Sequence, residues 1–250
     1  MGLPQGIRRR TPGLRREEVA VLAGLSPTWY TYLEQGRDVS PSPEVLNNLA
    51  SVLGLSVFER DYLLNLSSER PSPQPAAKVP KSWRSLVAVA EGMYPFPAYV
   101  CSLSGDLLGW NRAVPDWLAN FGNLSGRERN LLVWMFTSEE AHRLFVDWED
   151  VCRHFIACFR AEVTDWRTCP RTGPLVEELA ARSPRFRMWW DEHQVAGPLS
   201  RTHRMRHPKR GVIDVRMVEL LHRDPDGAVR LIVHTPVREM PRRLLAAQAC

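Results

Sequence analysis

Nowhere does the 250-residue sequence hold the roughly 18 to 20 uninterrupted apolar residues that a membrane-spanning helix requires, so such a helix is excluded and no membrane partner is expected. Its opening, MGLPQGIRRR, carries basic residues with no apolar stretch behind them, which is not the build of a secretory signal. Gly6 stands where an N-myristoylation signal needs Ser or Thr. Cysteine is scarce: Cys101, Cys152, Cys158, Cys169 and Cys250 are odd in number, far apart and never spaced as CxxC. A zinc ribbon or finger is excluded by that spacing, and reduced thiols in a cytoplasmic protein are expected. GxSxG, HExxH, a GxGxxG after a strand and a phosphate-cradling glycine loop are missing as well. Cys152 and His154 in CRHF lie two apart on a helical pattern and point to different faces, so they do not make a nucleophile and base. The chain is expected to be no enzyme and to carry no cofactor or metal.

What is present suits folded domains. The sequence is 44% hydrophobic, enough for a real core, and its formal charge of +5 fits an anionic partner without demanding one. The distribution of charge says more. Arg8, Arg9, Arg10, Arg15 and Arg16 all precede the first acidic residue, Glu17. Residues 67–82, SSERPSPQPAAKVPKS, are rich in Pro, Ser and Ala with no apolar period and read as an extended linker. They divide residues 1–66 from residues 83–250, and no internal repeat crosses either part.

The N-terminal part has helical periodicity throughout. Val19, Leu22 and Ala23 share a face of a helix over about Leu14 to Ala23; Gly24 ends it, Ser26 caps the next and Pro27 opens it. That second helix, about Pro27 to Gln35, turns Tyr30 and Leu33 inward. Helices over Pro43 to Leu53 (Leu46, Leu49, Ala50 and Leu53 inward) and Val57 to Leu66 (Phe58, Tyr62, Leu63 and Leu66 inward) follow. Two short helices joined at AGLS match a helix-turn-helix, whose second helix is presented to a DNA groove. Thr28, Trp29, Thr31 and Tyr32 are then left for base edges, Arg15, Arg16 and Arg37 for phosphates, and Arg8, Arg9 and Arg10 for backbone or minor-groove contacts with double-stranded DNA. A protein-binding helical hairpin with a solvated arginine face is the bland alternative.

The C-terminal part is mixed. A helix over about Ser82 to Gly92 leads to AYVCSLSGDLLGWN, a hairpin turning at Ser104-Gly105-Asp106. Helical patterns cover about 127–136, 138–165, 174–181 and 184–193, and two alternating runs, GVIDVRMVELLH and AVRLIVHT, flank RDPDG as the clearest hairpin. One antiparallel sheet wrapped by helices is expected, giving an α+β chain. Phe145, Trp148, Cys152, Phe155 and Phe159 recur on one broad helical face, which on the residues alone reads as a core stripe before a cavity wall. The Arg, Lys and His residues of SRTHRMRHPKRG could bind a carboxylate or nucleic acid, but a solvated strand edge is the commoner cause of such a run, and His203 with His207 lack the further ligands a metal needs.

RRRTPGLRREEVAVLAGLSPTWYTYLEQGRDVSPSPEVLNNLA, followed by AYVCSLSGDLLGWNRA, RNLLVWMF, FVDWEDV, RHPKRGVIDV and VHTP, closely resembles the MmyB-like transcription regulators along nearly the whole chain. The resemblance implies an XRE-type helix-turn-helix and a PAS-like C-terminal domain that binds a small apolar, fatty-acid-like ligand. Candidate ligand residues are then Tyr99, Trp110, Trp134, Trp148, Phe155 and Phe159, with Asn111 similar to a PAS signature residue whose first expected job is helix capping. Two departures stand out. The family's DNA domain normally begins with a helix that has no counterpart in this sequence, so that either the true start lies upstream or the domain is truncated with the faces around Val19 and Leu49 short of a cover, and Tyr32 stands where the family more often carries a basic residue. A homodimer reading half-sites about 34 Å apart is expected. The competing reading is a small-molecule-binding module with a weakened DNA domain that acts through a protein partner.

Overall fold

The computed structural model describes residues 13–67, 79–163, 171–197 and 201–237. They fall into two compact units divided between Glu69 and Arg70.

The first unit is all helix: α1 (Arg16–Leu22), α2 (Pro27–Glu34), α3 (Pro43–Val52) and α4 (Val57–Ser67). The Ser-Pro pairs act as starts. Ser26 Oγ accepts from the Trp29 N–H at 3.2 Å and Ser42 Oγ from the Val45 N–H at 3.3 Å, each ahead of a proline that needs no partner for its nitrogen. Between α1 and α2 the chain reverses at Gly24, whose φ of +75° is open to glycine at little cost, and the Leu25 N–H closes the corner on the Ala20 carbonyl at 2.8 Å. Val19, Ala20, Ala23, Tyr30 and Leu49 form the core, with Leu25, Leu33, Val45 and Val52 packed around it.

Several expectations are corrected here. Leu22 is 46% exposed and Ala20 takes its place inside, because α1 turns its Val19-Ala20-Ala23 side to the core. Leu53 lies beyond the end of α3 and is exposed. Val19 and Leu49, expected to lack a cover, are buried by the helices present; the shortage of apolar contact falls on α4, which buries no residue and leaves Leu66 exposed.

In the second unit β1 (Ala98–Ser102), β2 (Leu107–Trp110), β3 (Thr202–His207), β4 (Gly211–Asp224) and β5 (Gly227–Pro236) form one antiparallel sheet in the order β2-β1-β5-β4-β3. Val100, Val229, Leu231 and Val233 point to one face, where α5 (Trp83–Gly92) packs with its Ala90, Leu86 and Val87. Helix and sheet come so close that a Cβ on Gly109 would lie 2.4 Å from a Val87 methyl. The expected linker also stops short: Val79 joins this cluster and the Ser82 hydroxyl donates to Asp224 at 2.6 Å.

On the opposite face lie α6 (Val114–Trp117), α7 (Leu131–Thr137), α8 (Glu139–Leu144), α9 (Trp148–Glu162), α10 (Thr172–Arg182) and α11 (Pro184–Asp191). Here Tyr99, Met205, Val215 and Ile232 meet Phe121, Met135, Ile156 and Phe186 in the main core. The helical pattern over 138–165 is not one helix. It breaks at 145–147, where Phe145 bridges to Met205 and the Val146 N–H donates to the Arg204 carbonyl at 2.9 Å, so bonds to β3 replace those of the helix. The pattern over 127–136 likewise starts late, at Leu131, because Asn130 Oδ1 accepts from the Leu132 and Val133 N–H groups and caps α7 there.

Candidate functional site

The helical unit presents α2. Thr28 is exposed, Trp29, Thr31 and Tyr32 are partly exposed, and Tyr30 is buried. Thr31 donates its hydroxyl to the Pro27 carbonyl at 2.8 Å, while the Arg37 guanidinium lies 4.4 Å over the Tyr32 ring. Arg16 bridges the start of α1 to the end of α2 through Glu34 at 2.5 Å, and the Arg15 N–H donates to the Glu18 carboxylate at 2.8 Å. The result is an aromatic and hydroxyl surface flanked by the exposed arginines 15, 16 and 37, which is the chemistry for base edges between phosphates. Arg8, Arg9 and Arg10 lie outside the described residues.

In the mixed unit, α9 lies over the core face of β4 and two cavities adjoin beneath it. The outer, of about 110 Å³, is lined by Asp147, Asp150, Val151, Arg201, Thr202 and His203; the inner, of about 30 Å³, by Cys101, Leu131, Leu132, Cys158, Phe159 and Ile232 among others. His154, Phe155 and Met217 line both. The outer mouth is polar in a particular way. His203 is 7% exposed, and its Nε2 has no hydrogen-bond partner among the described residues. Burial, then the charge of Arg201, pushes His203 down to about 4, and the same two causes bring His154 to about 4. Both imidazoles are therefore neutral at pH 7. Asp147 is taken up by Arg204, whose Nε and Nη2 donate to it at 2.9 and 2.5 Å and hold its carboxyl below the usual range. Among the described residues no carboxylate pairs with Arg201.

The inner cavity is bordered by Arg230 and Glu219 of a buried ion triad: Arg230 Nη2 lies 2.7 Å from Glu162, and its Nε is 2.7 Å from Glu219 but out of line for a hydrogen bond. Cys158 Sγ sits 3.4 Å from His154 Nε2, yet burial pushes the thiol up to about 12, so it is no ready nucleophile. A third cavity, of about 340 Å³ and lined by Ser104, Asp106, Arg127, Asn130, Arg171 and Glu178, has its charges paired already, Arg171 with Asp106 at 2.7 Å and Arg127 with Glu178 at 3.0 Å.

The unit that holds these cavities matches, over residues 84–247, the model of the MmyB-like transcription regulator ligand binding domain, and residues 6–63 match a helix-turn-helix domain. The chain belongs to the MmyB-like transcription regulators. It is a DNA-binding regulator with a ligand-binding domain, and no curated protein matches it.

Of the ligand candidates in this MmyB-like regulator, the cavities bring together Phe155 and Phe159. Tyr99, Trp110 and Trp134 instead surround Phe121 edge-on at 6.2, 5.8 and 5.2 Å, in the core beside the site. Trp148 stacks on His142 at 3.7 Å and donates its indole N–H to the Met135 carbonyl at 3.0 Å. Asn111 is fully buried and acts as a bracket: Oδ1 accepts from the Ala98 and Ala113 N–H groups, and Nδ2 donates to the Ala90 and Phe96 carbonyls. Sequence reasoning missed His154 and Met217 as site residues; it weighed a carboxylate-binding role for the Arg and His residues of SRTHRMRHPKRG, Arg201 and His203 among them, and ranked a solvated strand edge above it. A further signal was the alternation in THRMRH, which turns His203, Met205 and His207 to the same face as the core.

Proposed function

We propose that this regulator senses an amphipathic anion with an apolar tail, a fatty-acid-like molecule, between α9 and the sheet, and reads DNA through α2 as a cytoplasmic homodimer. The observation that carries the ligand reading is the outer cavity, lined by Val151, Phe155 and Met217 together with Arg201, which pairs with no carboxylate among the described residues, and His203, whose buried Nε2 has no partner among them. A carboxylate there accepts hydrogen bonds from Arg201 and from the imidazole N–H groups, and its chain follows the apolar wall. Two more buried polar atoms, His234 Nδ1 and Trp134 Nε1, have no partner among the described residues, and His234 packs edge-on against His203 at 5.4 Å. The strand order β2-β1-β5-β4-β3, with helices between β2 and β3, supports the PAS-like reading.

The test is calorimetric titration of the full chain with medium-chain alkyl carboxylates and the matching alcohols, beside Arg201→Ala. Loss of a charge-assisted hydrogen bond predicts about 10- to 100-fold weaker carboxylate binding in the variant, with the alcohols little changed. Equal affinities of both proteins for the carboxylates would remove Arg201 from the head-group role.

A further inference from the structure

We infer that Phe155, which with Met217 lines both cavities, is the divider that sets how long a ligand chain the regulator accepts. The inference rests on the cavity under α9 being the ligand site. Along α9, Val151 lines only the outer cavity, His154 and Phe155 line both, and Cys158 and Phe159 line only the inner. On β4, Met217 lines both, and Glu219, the next residue on that face, lines only the inner. Helix and strand thus describe one axis, stepping inward about 1.5 Å per helical residue and about 3.4 Å per strand residue, with the Phe155 ring at its waist.

The chemistry changes along that axis in the order an amphipathic chain needs. Guanidinium and imidazole stand at the mouth, Leu131, Leu132, Phe159 and Ile232 lie beyond the waist, and Arg230 and Glu219 of the ion triad border the inner space. The inner space offers an anionic head group little, since it is lined mostly by apolar side chains and Arg230 there already faces two carboxylates, Glu162 and Glu219. It suits a methyl terminus. At ~10–15 Å³ per water-sized group, the outer cavity has room for roughly seven to eleven groups and the inner for two or three. A carboxylate with about six carbons therefore fills the outer cavity, and a longer chain has to displace something. Of the three shared side chains, Met217 is flexible enough to yield and His154 is held against Cys158 at 3.4 Å; the rigid ring of Phe155 is the obstacle.

The experiment measures Kd of straight-chain carboxylates from four to fourteen carbons for the full-length wild type, Phe155→Ala, Phe155→Leu and Arg201→Ala, with thermal melts to establish folding. For the wild type, affinity should rise about fourfold per methylene up to roughly six to eight carbons and then level off. Phe155→Ala removes six heavy atoms and should move the break outward by about six carbons, and Phe155→Leu by about half as much. Should the alanine variant not fold, the leucine variant decides. If all Phe155 variants break at the wild-type length while Arg201→Ala weakens every chain, the site stands and the divider is overturned. If no chain binds any of the proteins, the ligand site itself fails and the inference falls with it.

Discussion

His203 carries a cost that pH exposes. In an unfolded chain a histidine takes up its proton near pH 6.5, whereas the folded protein refuses one at His203 until about pH 4, because the ring is buried and Arg201 adds positive charge, with only Asp147 pulling the other way. Between those values the unfolded state binds more protons, so stability present above pH 6.5 is lost as the pH falls toward 4. At pH 5 the loss from this residue is about 2 kcal/mol, worth roughly 4–8 °C in the melting temperature of a domain this size. Thermal melts at pH 7.5 and 5.0 should show that drop in the wild type and a clearly smaller one in His203→Gln; equal drops would mean that His203 is solvated and titrates normally. His154, depressed by the same causes, adds to the wild-type loss and keeps the variant from being pH-independent. Asn111 shows how a residue can be conspicuous in sequence for a reason other than ligand contact. Its four hydrogen bonds tie the end of α5, the entry to β1 and the start of α6 together, leaving no polar atom to offer a head group.

Elements were legible where a local device sets them, and illegible where a distant segment overrides the pattern. The Ser26-Pro27 and Ser42-Pro43 starts, the Gly24 corner and the 211–235 hairpin are all written within a few residues of where they act. The break between α8 and α9 is not. No Gly or Pro interrupts residues 138–165, and the helix yields only because β3, some sixty residues on, supplies the Arg204 carbonyl and the Met205 bridge. The outer cavity was hidden for the same reason: His154 and His203 meet across 49 positions that no period connects, and the tryptophans that drew attention as a cavity wall have core contacts instead. One glycine tests the packing of an element as a whole. Gly109 lets α5 approach β2, and the 2.4 Å contact predicted for its Cβ with Val87 cannot be relieved by a small rotation alone. Gly109→Ala should destabilise the full chain by about 1–3 kcal/mol in urea, and adding Val87→Ala should restore part of that loss. A double variant no more stable than the sum of its parts would place the strain elsewhere.

At the scale of the whole chain, a ligand in one unit affects DNA held by the other only if each binds one arrangement of the chain better than another, the same arrangement for tighter DNA binding and opposite ones for release. The arginines flanking α2 give the DNA half of that coupling a signature. If Arg16 leaves Glu34 for a phosphate, Arg16→Ala should flatten the dependence of log affinity on log salt by about one, and Glu34→Gln, which frees Arg16 from its 2.5 Å partner, should tighten DNA binding. Ligand coupling is a separate quantity with its own constraint. Whatever factor an alkyl carboxylate imposes on DNA affinity, DNA must impose the same factor on carboxylate affinity, since the two routes to the ternary complex have one free energy. We expect fluorescence anisotropy of labelled operator DNA, with and without saturating carboxylate, and calorimetry of the carboxylate, with and without DNA, to return matching factors of roughly 5- to 150-fold in the same direction. Arg201→Ala should reduce the effect of subsaturating carboxylate on DNA while leaving DNA affinity in its absence unchanged, because the residue belongs to the ligand-binding unit. Unequal factors at fixed protein concentration would show that the number of chains changes during one of the titrations, and repeating both over a hundredfold range of protein concentration would then separate assembly from ligand coupling.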